Sequence, residues 1–307
     1  MLQWRGESRR PMLKYNELLS KHTSFKIGGP AYCWAEPENP EGILETISFA
    51  EAKDKKIAVI GRGANLLAKD EGFDGVIIHL AGGFEKIEIE SVAAKLALLR
   101  IGAGLSLAKL VKYAFDVSLG GCEFLTGIPG SVGGAIFMNA GVRSLKTPAG
   151  FNEIKDILLD AEILDLKSGK IKVLSGKDID FKYRYSGLDG KIILGARFKL
   201  KESKKEDIRA GIEAFNKKRE WFAKIGFPNA GSIFKNPEPG KSAGMMIDAC
   251  GLKGRRIGDA EISEVHANII VNLGKATAND VLGLIDLARA SVKQKFGIEL
   301  ELELELI

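Results

Sequence analysis

The sequence predicts a mixed α+β fold built on two cores. The chain has 307 residues, enough for two domains of ordinary size. Strand patterns crowd its first two thirds, and helices become prominent only in the last third. Between Leu119 and Gly141, seven glycines interrupt an otherwise apolar run. Each glycine costs backbone entropy on ordering, so such a cluster fits where the chain needs positive φ or lies against a ligand with no Cβ between. Two readings of this stretch are equally good: backbone laid along a flat cofactor, or a loop-rich crossing of a tight β core.

The elements follow from local signals in chain order. Residues 31–36 form a strand ended by Pro37. Asn39 and Pro40 then start a helix as cap and first-turn proline, with Ile43, Leu44, Ile47 and Ala50 on one face. Residues 57–60 are expected as a short buried strand running into Gly61-Arg62-Gly63-Ala64-Asn65-Leu66-Leu67. A strand feeding a glycine turn with open amides is a common way to hold a pyrophosphate. A plain turn is the more frequent outcome, and Leu66 replaces the third glycine of G-x-G-x-x-G.

Residues 76–80, 84–90 and 95–103 are further strand candidates. Ser106 caps a helix with Leu107, Leu110, Val111 and Ala114 inward, closed at Gly120. After the central glycines, 161–166 pairs with 171–174, a polar-aromatic loop covers 181–186, and a strand over 191–200 follows the Leu188-Asp189-Gly190 turn. The charged stretch 201–207 reads as a linker or a solvated helix start and marks a boundary near it, giving an N-terminal extension at 1–22, a first domain at 23–203 and a second at 204–307.

Beyond it, Ile208, Ile212 and Phe215 share a helix face, Ser242 starts a helix stopped at Gly251, and 266–272 form a strand. Thr277 to Asp280 is a capping box opening a long helix with Val281, Leu284, Ile285, Ala288 and Val292 inward, stopped at Gly297. The tail, 298–307, alternates isoleucine and leucine against Glu299, Glu301, Glu303 and Glu305.

Composition narrows the function. The formal charge of +5 suits a polyanionic small molecule or a solvated surface equally well. The basic residues are scattered among acids without interleaved aromatics, which argues against nucleic acid. Cys33, Cys122 and Cys250 are too far apart for a disulfide framework or a zinc site, and His22, His79 and His266 are too dispersed to suggest a metal. No apolar stretch approaches the roughly 20 residues of a membrane span, and the first residues lack a signal-peptide core. A cytoplasmic protein is expected.

Several constellations remain. Gly240-Lys241-Ser242 fails as a phosphate loop, because the first glycine would fall at Lys235. Ser232, after Gly231 and before Lys235 and Asn236, puts a hydroxyl beside a cation and an amide. It could bind an anion or pass a proton, although a turn serine is the simpler reading. Arg184, between Tyr183 and Tyr185, could fork a carboxylate or stack on a ring. Pattern alone leaves the tail glutamates as a solvated face.

Taken together, 23–29, 61–67, 127–135, 138–141, 183–186 and 229–237 resemble, in order and spacing, the UDP-N-acetylenolpyruvoylglucosamine reductase (MurB) family, in the branch without an inserted substrate-capping loop. The resemblance implies a vanillyl-alcohol-oxidase-type FAD-binding domain of two subdomains, followed by a smaller α+β substrate-binding domain. It implies non-covalent FAD, NADPH as hydride donor, and UDP-N-acetylglucosamine-enolpyruvate as the substrate reduced to UDP-N-acetylmuramate for peptidoglycan synthesis. FAD would lie on Gly61, Arg62, Gly63, Ala64, Asn65 and Leu66, and along Gly127, Ile128, Pro129, Gly130, Ser131, Gly133, Gly134 and Asn139.

By the same resemblance, Ser232 is the proton donor, and Arg184 and Glu303 polarise the substrate carboxylate. Tyr183, Lys235 and Asn236 face the sugar nucleotide. The sequence departs from the family at 219–227, which lacks the usual Gln-Pro or lysine for the diphosphate and leaves Lys224 as candidate. Leu302 stands where the family has proline, so a two-residue register slip would exchange Glu303 for Glu301 or Glu305.

Overall fold

The computed structural model describes residues 11–147, 150–238 and 241–307. Residues 1–10 of the expected extension, and Gly240 of the rejected phosphate-loop motif, lie outside them. The extension is not featureless: β1 (Met12–Leu18) joins a sheet, and its mostly exposed side chains gave no alternation to signal it. β2 (Pro30–Glu36) leads to α1 (Pro40–Ala52), whose cap Asn39 accepts from the Gly42 amide at 2.8 Å. On this helix Leu44 is exposed and Thr46 takes the buried place, because its hydroxyl is satisfied by the Gly42 carbonyl at 2.7 Å.

β3 (Lys56–Ile60), β4 (Leu66–Leu67) and β5 (Phe73–His79) follow. The sheet order is β1-β2-β5-β3, with β3 parallel to β5. β3 is therefore an edge strand, not the buried one expected, and Val59 is 42% exposed. Residues 84–90 also divide differently, since Gly82–Glu85 is a tight turn burying Phe84 and β6 (Ile87–Ala93) begins after it.

β7 (Leu96–Gly102) precedes α2 (Leu107–Asp116), capped by Ser106 as the sequence indicates. The helix ends before Gly120: Ser118 takes φ +59° and turns the chain, and Gly120 pairs with Lys201 from β8 (Leu119–Gly120). Within the central glycines lies α3 (Val132–Phe137), a short helix that the glycine count concealed. Then come β9 (Gly141–Arg143), β10 (Phe151–Glu153), β11 (Leu158–Asp165), β12 (Lys170–Ser175) and β13 (Lys191–Glu202). The expected hairpin is present, with Leu164 opposite Ile171.

Of the two readings of the charged stretch, the helix start holds and the linker does not, because Lys201 and Glu202 extend β13 and Lys205 begins α4 (Lys205–Ala223). α5 (Ala243–Ala249), β14 (Arg256–Ile257), β15 (Ala260–Ile262), β16 (Ile270–Asn272), α6 (Ala278–Phe296) and β17 (Glu305–Leu306) complete the chain. The Thr277–Asp280 capping box is formed, and Gly297 ends α6 at φ +68°. Of residues 266–272 only β16 is strand, and of the tail only β17, apart from an isolated bridge between Phe234 and Leu302.

Two compact units interleave along the chain. The first holds the segment through Lys14, Cys33–Gly61 and Gly75–Arg219, and the second holds Tyr15–Tyr32, Arg62–Asp74 and Glu220–Ile307. They divide the chain at points other than the boundaries after 22 and 203. The reason is packing: Phe215 and Ile212 of α4 belong to the first core, and Phe25, Ile27 and Leu67 to the second. In the first unit, a sheet of order β12-β11-β13-β7-β6, with β8 added on β13, buries its apolar face under α2 and α3. In the second, the sheet β14-β15-β16 packs with α5 and α6 around Phe234, Ile247, Leu284 and Leu300. Among the described residues, no helix is long and apolar enough to cross a membrane.

Candidate active site

In the first unit, β3 is followed by Gly61, and a Cβ there would collide with the hydroxyl of Ser131. The turn after β3 and the central glycines thus lie against each other at a point where one of them must lack a side chain. Ser131 caps α3, accepting from the Gly134 amide at 3.4 Å. Gly130 holds φ +137° with open space where a Cβ would stand. Gly133 is constrained from the opposite side, since its Cβ would stand 2.9 Å from that of Ala103.

Among the described residues, none of the amides from Gly61 through Asn65 donates to a backbone carbonyl, nor do those of Gly127, Gly130 and Ser131. Runs of outward amides bind oxyanions, and a glycine opening onto free space admits a flat ring against the backbone. Each stretch by itself has one such feature: the amides at 62–65 suit a diphosphate, and the opening at Gly130 suits a flat ring. Cys122, in the same stretch, has its thiol pushed up to about 12 by burial, so it is no nucleophile there.

The polar-aromatic loop sits beside the end of this stretch. Asn139, fully buried at φ +43°, donates from Nδ2 to the Lys182 carbonyl at 3.0 Å and accepts at Oδ1 from the Lys155 amide at 3.5 Å. Ser186 donates to the Phe137 carbonyl at 2.7 Å, and Arg184 Nη2 to that of Gly141 at 3.0 Å. Three bonds therefore strap the loop to residues 137–141. Arg184 itself takes φ +55°, a strained value for a residue with a Cβ, and its guanidinium lies 4.9 Å from the Tyr183 ring centre. The Asn139 side chain positions the loop that carries Arg184.

In the second unit, Gly63 has φ +60° and its Cβ would fall on the His22 carbonyl, so this turn is sterically reserved for glycine. Asn65 donates from Nδ2 to the Glu303 carbonyl at 2.7 Å, and the Glu305 amide returns to the Asn65 carbonyl at 3.1 Å. β4 and β17 then run parallel, with Leu66 opposite Glu305. Ser232 is half-buried and follows Gly231, which has φ +74° and open space around it. Next to it, the Ile233 amide donates to the Asn268 carbonyl and the Glu303 amide donates to the Ile233 carbonyl, both at 2.9 Å.

Asn268 adds two side-chain bonds, to the Phe234 amide at 3.0 Å and the Phe234 carbonyl at 2.8 Å. Sequence reasoning missed it, and its only trace was an asparagine in an apolar run. The tail register follows: Lys235 pairs by backbone and side chain with Glu301, and Glu305 is exposed beside β4. Glu303, half-buried, is the tail glutamate tied to the residue after Ser232. The Asn236 Oδ1 accepts from the Ala243 amide at 3.0 Å, next to the start of α5. No group of three or more His, Cys, Asp or Glu side chains among the described residues could hold a metal ion.

Residues 31–175 match a family described as an FAD binding domain, and residues 223–307 match the UDP-N-acetylenolpyruvoylglucosamine reductase C-terminal domain. The chain is 40% identical over 304 residues to a UDP-N-acetylenolpyruvoylglucosamine reductase of Agathobacter rectalis, covering 96% of this chain and 94% of that one. It is 42% identical to the protein of that name in Chloroherpeton thalassium, covering 96% and 93%. The crystal structure of the Thermus caldophilus reductase (MurB) superposes with a TM-score of 0.81 at 37% identity, over 96% of this chain and 99% of that one.

Proposed function

Because the chain belongs to the UDP-N-acetylenolpyruvoylglucosamine reductase family, we propose that it is the FAD-dependent reductase of peptidoglycan precursor synthesis and that NADPH is its hydride source. When bound, FAD would supply the redox chemistry, the passage of a hydride from NADPH to C3 of the enolpyruvyl ether. The amides of residues 61–65 would hold the cofactor diphosphate, and Gly127, Gly130 and Ser131 are further residues that would bind the cofactor. We assign cofactor binding to 23–203 and substrate binding to 204–307, a division by ligand that the interleaved packing units do not follow.

Hydride addition at C3 leaves enolate character that a proton at C2 must quench, and Ser232 Oγ holds that proton. Arg184 and Glu303 hold the substrate carboxylate and stabilise the charge that develops on it. Tyr183, Lys235 and Asn236 bind the remainder of the sugar nucleotide. The observation that carries this reading is the 2.9 Å bond from the Glu303 amide to the Ile233 carbonyl, which sets an acid and a hydroxyl on adjoining backbone. It favours Glu303, whose amide meets the Ile233 carbonyl, over Glu301, whose carbonyl meets the Lys235 amide.

The test is direct. Purified protein should be yellow, release FAD on denaturation, and oxidise NADPH only when UDP-N-acetylglucosamine-enolpyruvate is present. A colourless protein that takes up no added FAD would indicate a non-catalytic sugar-nucleotide binder. Reduced flavin that this substrate fails to reoxidise would indicate an oxidoreductase with another substrate.

A further inference from the structure

Ser232 and Glu303 sit on two neighbouring segments of the second unit, and the backbone bonds between those segments do not choose among the tail glutamates. The Lys235 amide donates to the Glu301 carbonyl and the Glu303 amide to the Ile233 carbonyl, both at 2.9 Å, with Phe234 opposite Leu302. The tail repeats Glu-Leu over 299–306. A slip of two residues would remake those bonds and bring a different glutamate to the same place. The register has to be set from outside the repeat.

Arg289 of α6 is placed to set it. Its Nε donates to the Leu300 carbonyl at 3.2 Å, and its guanidinium carbon lies 5.9 Å from the centre of the Phe234 ring. One side chain therefore touches both segments, beside the core residues Phe234 and Leu300. The helix that carries it ends at Gly297, φ +68°, so three residues link that cap to Leu300. A slip would put the Ile298 or the Leu302 carbonyl opposite Arg289, shortening this link to one residue or lengthening it to five. The bond thus measures the tail against the helix, which a two-residue repeat cannot do for itself.

We propose that Arg289 is a positioning residue: its bond to the Leu300 carbonyl fixes the register of the tail and so selects Glu303, rather than Glu301 or Glu305, as the acid beside Ser232. The proposal rests on the function given above. What counts is the N–H at Nε. Glutamine carries an N–H at the same distance along its side chain, lysine keeps a charge near the Phe234 ring without that donor, and methionine keeps only the length.

Flavin-loaded wild type, Arg289→Met, Arg289→Lys and Arg289→Gln are compared in anaerobic single turnovers, each alone and combined with Glu303→Gln, and by amide hydrogen exchange over 300–305. Arg289→Met should slow reoxidation of reduced flavin by UDP-N-acetylglucosamine-enolpyruvate about 10- to 100-fold while leaving flavin reduction by NADPH within about twofold of wild type. Arg289→Gln should recover most of that loss, and Arg289→Lys little of it. With Glu303→Gln present, Arg289→Met should cost less than about threefold, because the residue it misplaces no longer acts. Exchange of the Glu303 amide should speed up in Arg289→Met and not in Arg289→Gln.

Equal slowing of both half-reactions, an undiminished effect beside Glu303→Gln, or unchanged kinetics would each overturn the proposal. If Arg289→Met does not retain flavin, the other two variants decide: slow Arg289→Lys with recovered Arg289→Gln supports the register bond, and equal rates refute it. Failure of the functional reading looks different, since reduced wild-type flavin would then not be reoxidised by this substrate. The exchange rate at Glu303 alone would in that case decide whether Arg289 sets the register.

Discussion

Arg184 and Ser232 are held by different means. Arg184 is part of its own support, because the guanidinium proposed to hold the substrate carboxylate also donates to the Gly141 carbonyl. Ser232 makes no such contribution. Its backbone neighbours are fixed by Asn268 on one side and Glu303 on the other, leaving the hydroxyl beside open space at Gly231. In the first region support and function coincide, so no substitution at Arg184 separates them. In the second they reside in different residues and can be removed one at a time.

That difference orders the expected effects. Arg184→Ala should be the most severe, lowering the rate of flavin reoxidation by substrate by about 10²- to 10³-fold through lost charge stabilisation. Its loop should also become more protease-sensitive; an intact loop in the variant would show that support and function do not coincide there. Asn268→Ala should destabilise the fold by about 2–4 kcal/mol, since the Phe234 amide and carbonyl are left buried without partners. Denaturant melts read this, and a loss of rate without a loss of stability would make Asn268 more than a scaffold.

Ser186→Ala removes one strap, the 2.7 Å bond to the Phe137 carbonyl, and should cost about 1–2 kcal/mol with KM raised more than kcat is lowered. The smallest effect concerns His266, stacked 4.7 Å from Trp221 in the second unit. Burial, and then Lys253, depress its pKa from 6.5, so the unfolded chain takes up a proton before the folded one does. Stability from this group is present above about pH 6.5 and declines as pH falls below it, by less than about 1.4 kcal/mol per pH unit. His266→Gln should flatten that part of the stability profile; an unchanged slope would place the proton uptake elsewhere.

Features written in neighbouring residues were legible before any coordinates. Asn39, Ser106 and the Thr277–Asp280 box announce their helices because a cap is a contact over three residues, and the bonds form as expected. The glycine turn at 61–67 was legible because Gly63 can have no Cβ. What escaped was set over distance. Asn65 and Glu303 are 238 residues apart, and no periodicity in a tail repeating Glu-Leu could fix which glutamate meets the Ser232 segment. β3 appeared buried because Ile57-Ala58-Val59-Ile60 is apolar, yet edge or centre is decided by neighbours that the strand does not encode. The bond from the Asn139 side chain to the Lys182 carbonyl, 43 residues on, is of the same long-range kind.

The most direct test is an anaerobic stopped-flow comparison of wild type with Ser232→Ala, following flavin colour through both half-reactions. Bleaching by NADPH should proceed nearly alike in the two proteins. Return of colour on adding UDP-N-acetylglucosamine-enolpyruvate should be slower in the variant by about 10²- to 10⁴-fold. Equal slowing of both phases, or a return of colour at the wild-type rate, would contradict the assignment of the proton to Ser232.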